Sequence, residues 1–487
     1  MSILMINPNK FKPHVAPVGL EYVCNSLVRE KIDFDLVDLN FDPEKIIYRK
    51  LRKNDVDLVG ITVRNLDSGF LSKIEVFQPG IKKLINRIKN KKDCKVVLGG
   101  AGFSMLPREV MEYMGADFGV VGYGEEALPK LVHALRNGGD FSRIDNLAWR
   151  KNGDICINSI STGDYENIPV RRRNIIRNKS YYNVFGLGNI EIKRGCSRHC
   201  GYCSEPDIVG CRVVHRRIEN VIMELKELKS LEVNHLYFCD SEFNVGSEEY
   251  SIELCKQIIE NKIGVTWTSS IHPSPKMVSR KLLALMKEAG CTELLISMDS
   301  GSDEILADMG KGHTVEDAII CSDLIGEAGI PRLHTYLTGW RGESKKTLDE
   351  TISLIKRCQP EEAFFFCGVR IYPGTKLSRI AREEGLINEE SELRAPIFYQ
   401  PERVLREFIP YLRRSAEGIP NCIIPTRAIN LMNLIQRNVY LLGGFTGGLS
   451  DFVDRMNSLS LKEKLQIFGK TALDYVFPIR HRYIPAV

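Results

Sequence analysis

Short, unbroken apolar runs alternate with helix-length segments twice along this chain, and that alternation leaves few folds open. In the first block the runs are ILMIN (3–7), DFDLVDL (33–39), DLVGITV (57–63), KVVLGG (95–100) and DFGVVG (117–122). Strands that are apolar throughout belong to parallel sheets covered by helices on both faces. Residues 1–140 therefore predict a Rossmann- or flavodoxin-like domain, with its ligand beyond the carboxyl ends of the strands. Residues 141–185 read as hairpin and linker, because LAWRKNGDICIN (147–158) sets Asn-Gly between two strand-like runs. The basic run Arg171, Arg172, Arg173, Arg177 and Lys179 in that stretch reads as solvated linker, with phosphate contact as the alternative. The alternation then resumes with NIEIKRG (189–195), HLYFCD (235–240), VTWTSS (265–270), ELLISMD (293–299), LHTYLTG (333–339) and AFFFCGV (363–369). Residues 186–385 predict a partial (β/α)6 TIM-like barrel with chemistry at the strand C-termini. Residues 386–487 read as a mainly helical C-terminal region, and the fold class is α/β.

Composition narrows the function classes. The chain has 487 residues, 43% hydrophobic and 26% charged, which excludes a disordered chain, a coiled coil and a small disulfide scaffold. Domains of this size bury enough surface to fold without a metal staple, so a metal site here would be chemical. The net charge of +5, from 67 basic and 62 acidic residues, points to neither nucleic acid nor an anionic membrane. The N-terminus reads directly into a strand pattern without a leader. The apolar stretch at 439–445 falls short of the roughly 20 residues of a membrane helix. The expectation is a cytoplasmic protein, no transmembrane segment, and 14 reduced cysteines.

Three of those cysteines stand apart. KRGCSRHCGYCSEP (193–206) follows the first barrel strand and spaces Cys196, Cys200 and Cys203 as C-x3-C-x2-C. Three thiolates so close can hold three irons of a cubane cluster and leave the fourth open. The competing reading is zinc completed by His199 or Cys211, although structural zinc normally uses two separated C-x2-C knuckles.

The spacing, its place after the first barrel strand and the aromatic Tyr202 resemble the radical S-adenosylmethionine (SAM) family. That resemblance implies a [4Fe-4S] cluster whose open iron chelates the amino and carboxylate groups of SAM. One-electron reduction then yields a 5′-deoxyadenosyl radical. Asp240, Ser241 and Glu242 in CDSEFN (239–244) resemble the segment that receives the methionine ammonium. Asp299 and Ser300 in SMDSGSDEIL (297–306) fall near the family's ribose site, with Asp299-Ser300-Gly301 where Glu-Ser-Gly is usual. LTGWRGES (337–344) and RIYPGTKL (370–377) resemble the fifth and sixth strand loops; Trp340-Arg341 replace the common Gly-x-Pro-Gly, and Tyr372, Pro373 and Gly374 are recurrent features. From the residues alone, Asp240, Glu242 and Asp299 also read as helix N-caps.

The N-terminal segments INPNKFKPHVAPVGLEYV (6–23), VGITVRNLDSG (59–69), VLGGAGFSMLP (97–107) and VVGYGEEALPKL (120–131) resemble the cobalamin-binding domain that precedes the barrel in one subgroup. The resemblance implies cobalamin contacts by Asn7, Pro17, Arg64, Asn65, Gly99, Gly100, Gly102, Phe103, Ser104, Gly122, Tyr123, Gly124 and Glu125. The cobalt-ligating Asp-x-His-x-x-Gly pattern is missing, and His14 lies outside it. Arg64, at the end of the third strand, is expected below the cobalt without binding it; the alternative is a salt bridge to Asp67 or Glu21. The N-terminal wording is similar to tryptophan 2-C-methyltransferase-like proteins.

The implied activity is a cobalamin-dependent radical SAM C-methyltransferase, moving a methyl group from SAM via methylcobalamin to a substrate carbon. Its partners would be an organic substrate (small molecule, peptide or lipid) and an external electron donor such as flavodoxin or ferredoxin. The alternatives are a non-methylating cyclisation or rearrangement with the same cofactors, and a non-catalytic iron–sulfur or zinc-binding module. No catalytic residue is assigned. Tyr336, Trp340, Arg341 and Arg370 sit at strand ends, where packing is the simpler expectation. Cys239 and Cys367 read as buried, inert thiols.

Overall fold

The computed structural model describes residues 2–11, 14–53, 56–168 and 172–424. Arg171 and most of the expected C-terminal region (425–487) lie outside the described residues. The first sheet comprises β1 (Ser2–Asn7), β2 (Phe34–Asp38), β3 (Val56–Thr62), β4 (Lys95–Gly99), β5 (Phe118–Val120), β6 (Leu147–Lys151) and β7 (Asp154–Ile157). Its order is β2-β1-β3-β4-β5-β6-β7, parallel from β2 to β5 and antiparallel beyond. Alternate strand residues feed two separate cores, Leu4, Val59 and Leu98 on one face and Ile3, Leu58 and Val97 on the other. That is why the runs carry no polar alternation. The order reverses between β1 and β3, so the crevice for a ligand opens at their carboxyl ends.

The hairpin forms where Asn-Gly predicts it, with both Asn152 and Gly153 at positive φ, as a tight two-residue turn requires. It belongs to the edge of the first sheet rather than to a separate linker.

The second sheet contains β8 (Gly188–Ile190), β11 (His235–Phe238), β12 (Thr266–Ile271), β13 (Cys291–Asp299), β14 (Arg332–Thr338), β15 (Glu362–Cys367) and β16 (Cys422–Ile423), all parallel. A short antiparallel ribbon, β9 (Lys193–Arg194) with β10 (Val214–His215), stands beside it. The predicted first barrel strand is thus broken. Asp240 Oδ1 accepts the backbone amides of Ile192 and Lys193, each at 2.9 Å, and draws the chain out of the sheet toward the cysteine loop. A further strand, β16, comes from the region expected to be helical. Leu236, Trp267, Leu294, Ile296, Tyr336 and Phe365 pack under the surrounding helices as one core.

The two sheets are joined by buried charge. Arg173 is fully buried: Nε contacts Glu21 Oε2 at 2.6 Å, and Nη1 contacts Glu224 Oε1 at 2.8 Å. Arg216 Nη1 reaches the other oxygen of Glu224 at 2.7 Å. Glu21 lies on the helix Val18–Arg29 of the first domain and Glu224 on the barrel helix Ile218–Ser230. Within the basic run Arg173 departs from the solvated-linker reading, while Arg172 and Arg177 are exposed as that reading expects. Arg173 spans the interface, Arg177 pairs with Asp42 at 2.8 Å, and Lys179 with Glu232 at 3.2 Å. A second bridge joins Arg370 to Asp67 at 2.9 Å, and Leu71 enters the barrel core. Removing one partner of a buried ion pair strands the other charge, which costs about 3–5 kcal/mol. Arg173→Met should lower the urea-unfolding free energy by about that amount, whereas a loss below about 1 kcal/mol would place the cluster outside the stabilising interface.

Candidate active site

The cysteine loop is held at both ends by its own backbone. Cys196 N–H donates to Gly210 O at 3.0 Å, and Gly201 N–H donates to Met309 O at 2.7 Å. Gly195 adopts φ +89°, and a Cβ there would lie 2.0 Å from the Arg212 carbonyl oxygen, so only glycine fits. Cys196 is buried, Cys200 and Cys203 half-buried. Burial raises all three thiols, Cys203 to about 12 with its two neighbours adding to the effect. Among the described residues no three such side chains close on a single metal ion, but the electrostatic effect of Cys200 and Cys196 on Cys203 puts the three thiols near one another, which suits a cluster of several irons better than one ion. His199 and Cys211, the proposed completions of a zinc site, have exposed side chains.

The carboxylates at the strand ends are not helix caps. The helices that follow begin after Ser247 and Ser302. Asp240 instead binds backbone amides, as above, and leaves Oδ2 buried without a partner. Burial raises it to about 7. Burial would also raise Glu242, but His272 at 3.5 Å and the nearby Lys311 and Arg198 hold it at about 2. Asp299 Oδ2 accepts the Tyr202 hydroxyl at 2.6 Å and the Lys311 ammonium at 2.7 Å. Ser241 is half-buried. Ser300 is fully buried in the turn after β13, where its hydroxyl accepts Ser302 N–H at 3.2 Å.

Sequence reasoning missed Lys311, His272 and Arg198. Their signal was faint: a lysine between two glycines in MGKGH (309–313), and a histidine just past β12. Arg198 joins them, donating to Lys311 O at 2.5 Å and contacting His272 Nε2.

The residues at strand ends with a possible substrate role are structural. Trp340 is buried with Nε1 on Asp308 at 2.8 Å, and Arg341 pairs with the same carboxylate at 2.6 Å. Tyr336 is core, and Arg370 is spent on Asp67. Cys367 is buried and raised to about 12. Cys239 is half-buried, with its thiol on Ile190 O at 3.2 Å.

The end of the first sheet presents a different surface. Neither salt bridge considered for Arg64 forms, since Asp67 is taken by Arg370 and Glu21 by Arg173. Arg64 Nη1 and Asn65 Oδ1 are both buried without a hydrogen-bond partner. Burial lowers the Arg64 pKa, while nearby Cys239, on the barrel, and Tyr181, at the β1 and β2 ends, oppose that shift. Gly102 N–H donates to Arg64 O at 2.9 Å, and a Cβ on Gly102 would lie 2.9 Å from Val63 O; the glycines let the β4 turn press on β3. Gly99 O accepts Val63 N–H at 2.7 Å, and Ser104 Oγ accepts Gly122 N–H at 2.8 Å while donating to Gly100 O at 3.0 Å. Pro17 is half-buried just before its helix, and His14 lies half-buried in the loop after β1.

Other expected cobalamin contacts are committed elsewhere. Phe103 is fully buried against Gly119. Asn7 bonds Asp38 and Tyr181. Gly124 packs on Val23. Glu125 pairs with Arg194 at 2.5 Å, and the Arg194 guanidinium stacks 3.8 Å from the Tyr123 ring, so both residues tie the domains together. The orphaned polar atoms of Arg64 and Asn65 at a switch point nevertheless fit a large polar ligand laid over the β3 and β4 ends.

The B12 binding domain family matches residues 7–132, and the Radical SAM superfamily matches residues 190–355. The chain joins a B12 binding domain to a Radical SAM domain. It is 24% identical over 448 residues to a tryptophan 2-C-methyltransferase of Streptomyces laurentii, covering 79% of this chain and 75% of the relative. It is 28% identical over 391 residues to an uncharacterized methyltransferase of Pyrococcus horikoshii, covering 76% and 79%. Its fold is that of the radical SAM methyltransferase TsrM from Kitasatospora setae with cobalamin and a [4Fe-4S] cluster bound (TM-score 0.84, 23% identity, 97% and 99% covered). The cobalamin-dependent SAM radical enzyme OxsB with aqua-cobalamin is more distant (TM-score 0.71, 15% identity, 98% and 81% covered). Among the described residues no helix is long and apolar enough to cross a membrane.

Asp240 makes one stability prediction. An aspartate near 3.9 when unfolded and about 7 when folded takes up protons on folding. Its contribution is therefore fully present below about pH 4 and lost as the pH rises through about 7. Asp240→Asn should flatten the apoprotein's stability over that interval in denaturant titrations. A profile that overlays the wild type would contradict the assignment.

Proposed function

We propose that the chain is a cobalamin-dependent radical SAM C-methyltransferase that moves a methyl group from SAM, by way of cobalamin, to a carbon of an organic substrate. What supports this reading is that Arg64, at the β3 end, lies near Cys239, the neighbour of Asp240 on the barrel, so two unfinished sets of groups come close to each other. On the barrel side stand the three thiols of the cysteine loop and the unpartnered Asp240 Oδ2; on the other side stand the unpartnered Arg64 Nη1 and Asn65 Oδ1. Cobalamin over the β3 and β4 ends would supply a methyl-carrying cobalt, and a [4Fe-4S] cluster on Cys196, Cys200 and Cys203 would supply single electrons.

The chain's own groups do the rest. Asp240 Oδ2 and the ionised Glu242, with Ser241, receive the ammonium of SAM, while Tyr202 and Asp299 line its ribose side. Gly99, Gly100, Gly102, Ser104 and Gly122 keep the β4 turn low enough for a planar ligand to lie across it. Arg64 has no lone pair to give a metal, so it would face bound cobalamin without coordinating its cobalt, and such a cobalt would part with its methyl group more readily. The tryptophan named in the Streptomyces laurentii relative and bound to TsrM supports methyl transfer to carbon. An external donor such as flavodoxin or ferredoxin would deliver the electrons, in the cytoplasm and with no part played by nucleic acid.

Anaerobic reconstitution tests this reading directly. About four irons and one tightly held cobalamin per chain are expected, with S-adenosylhomocysteine formed from SAM under reduction. Release of 5′-deoxyadenosine with no S-adenosylhomocysteine would point instead to the non-methylating reaction. Arg64→His should place a lone pair under the cobalt, shift the cobalamin absorption and slow methyl transfer about tenfold or more. An unchanged spectrum and rate would remove Arg64 from the lower face.

A further inference from the structure

A TIM-like barrel normally fills its interior with branched apolar side chains. This one does not. Strand alternation sends Ala363, Phe365 and Cys367 of β15 under the helices, in the same core as Leu294, Ile296 and Tyr336. Residues 362, 364 and 366 consequently face the concave side, where register aligns Glu362 with Leu333, Leu295 and Ser270. That side carries hydroxyls: Tyr237 and Ser270 meet at 2.8 Å, and Ser297 and Thr335 lie opposite each other on β13 and β14. All four are half-buried although they lie inside the barrel, so among the described residues the concave side is an open lumen.

The lumen has a charged floor and an aromatic lip. Glu362 is only 6% exposed, and its Oε1 has no hydrogen-bond partner. Glu293 stands one register row below it, and burial together with that neighbour raises Glu362 to about 7. A buried carboxylate without a partner is costly, and a hydrogen-bonding cation in the lumen removes the cost. Toward the strand C-termini, Phe364 and Phe366 meet edge to face at 4.9 Å. Phe70, from the loop after β3, stacks on Phe366 at 6.2 Å and 16°. Phe366 remains 40% exposed, an apolar ring facing open space beside the cleft. From Glu362 to Phe366 the strand rises about 13 Å, the length of a small ring-bearing molecule.

We propose that the barrel lumen binds an aromatic amine, with its ammonium on Glu362 and its ring under Phe364 and Phe366, so that the ring's carbon atoms face the cofactor cleft. The proposal deepens the methyl-transfer reading and rests on it for the identity of the bound molecule as substrate. The half-buried hydroxyls could meet a second polar group on the same molecule, whereas a lipid chain or an anion would leave Glu362 unanswered.

Calorimetric titration of the anaerobic holoenzyme at about pH 8 tests it, using tryptamine and 3-indolepropionate, which share a ring and carry opposite charge. Tryptamine should bind about tenfold or more tightly than 3-indolepropionate, and Glu362→Gln should erase that preference. Phe366→Ala, at an exposed position, should weaken both probes alike. Iron and cobalamin contents equal to wild type certify that the variants are folded. No tryptamine binding, an equal or stronger affinity for 3-indolepropionate, or a preference that survives Glu362→Gln would overturn the proposal. Tryptamine selectivity without S-adenosylhomocysteine formation from SAM would sink methyl transfer while leaving the amine site standing; the reverse result would do the opposite.

Discussion

Two parallel sheets can turn their carboxyl ends toward a common cleft only if something fixes one against the other. Here that is a group of charges closed off from water: Arg173 and Arg216 with Glu21 and Glu224. Such pairs return little net energy compared with apolar packing, because each ion gives up its hydration. What they provide is orientation. If one domain rotates, each of these groups becomes an uncompensated buried charge, so the low-energy arrangement is narrowly defined. Asn189 adds to this by donating to Ala16 O at 2.8 Å and accepting from Arg173 through both its backbone and side-chain oxygens. Arg370 with Asp67, and Arg194 with Glu125 between the rings of Tyr123 and Tyr165, fix the same interface at other points.

With the domains locked, polar groups without partners acquire meaning. A folded chain normally satisfies its buried polar atoms. Those of Arg64, Asn65 and Asp240 sit at the carboxyl ends of their strands, where the flavodoxin-like sheet and the barrel each place chemistry. Glu362 lies deeper, on the barrel's concave side. Elsewhere the strand ends are closed off: Trp340, Arg341 and Lys376 gather on Asp308, and the cysteine loop is clamped against them through Gly201. Rigidity on that side and open valences on the other define where a reaction can take place.

Much of this was legible in the sequence because it depends on local pattern. Continuous apolar runs, Asn152-Gly153 and the C-x3-C-x2-C spacing each report on residues a few positions apart. What was not legible depends on pairs distant in sequence. Arg173 reads as linker beside other arginines, yet its partners are Glu21 and Glu224, far away on two different domains. The glycine-rich turn around Gly102 looks the same whether a ligand or a neighbouring strand lies above it, so the sequence does not reveal that Phe103 packs in the core or that Tyr123 and Glu125 meet Arg194. Lys311 and His272 belong to no motif and gain their place only when β12, β13 and the loop after helix Asp303–Met309 converge on the cysteine loop.

The account stands on the two cofactor surfaces sharing one cleft. Electron paramagnetic resonance of the anaerobic holoenzyme, with the cluster reduced and cobalamin in its cobalt(II) form, tests that point most directly. The structure predicts dipolar coupling between the two centres, seen as splitting or broadening of both signals and as faster relaxation of the cobalt signal. A spectrum equal to the simple sum of the two isolated centres would contradict it, because it would place them apart.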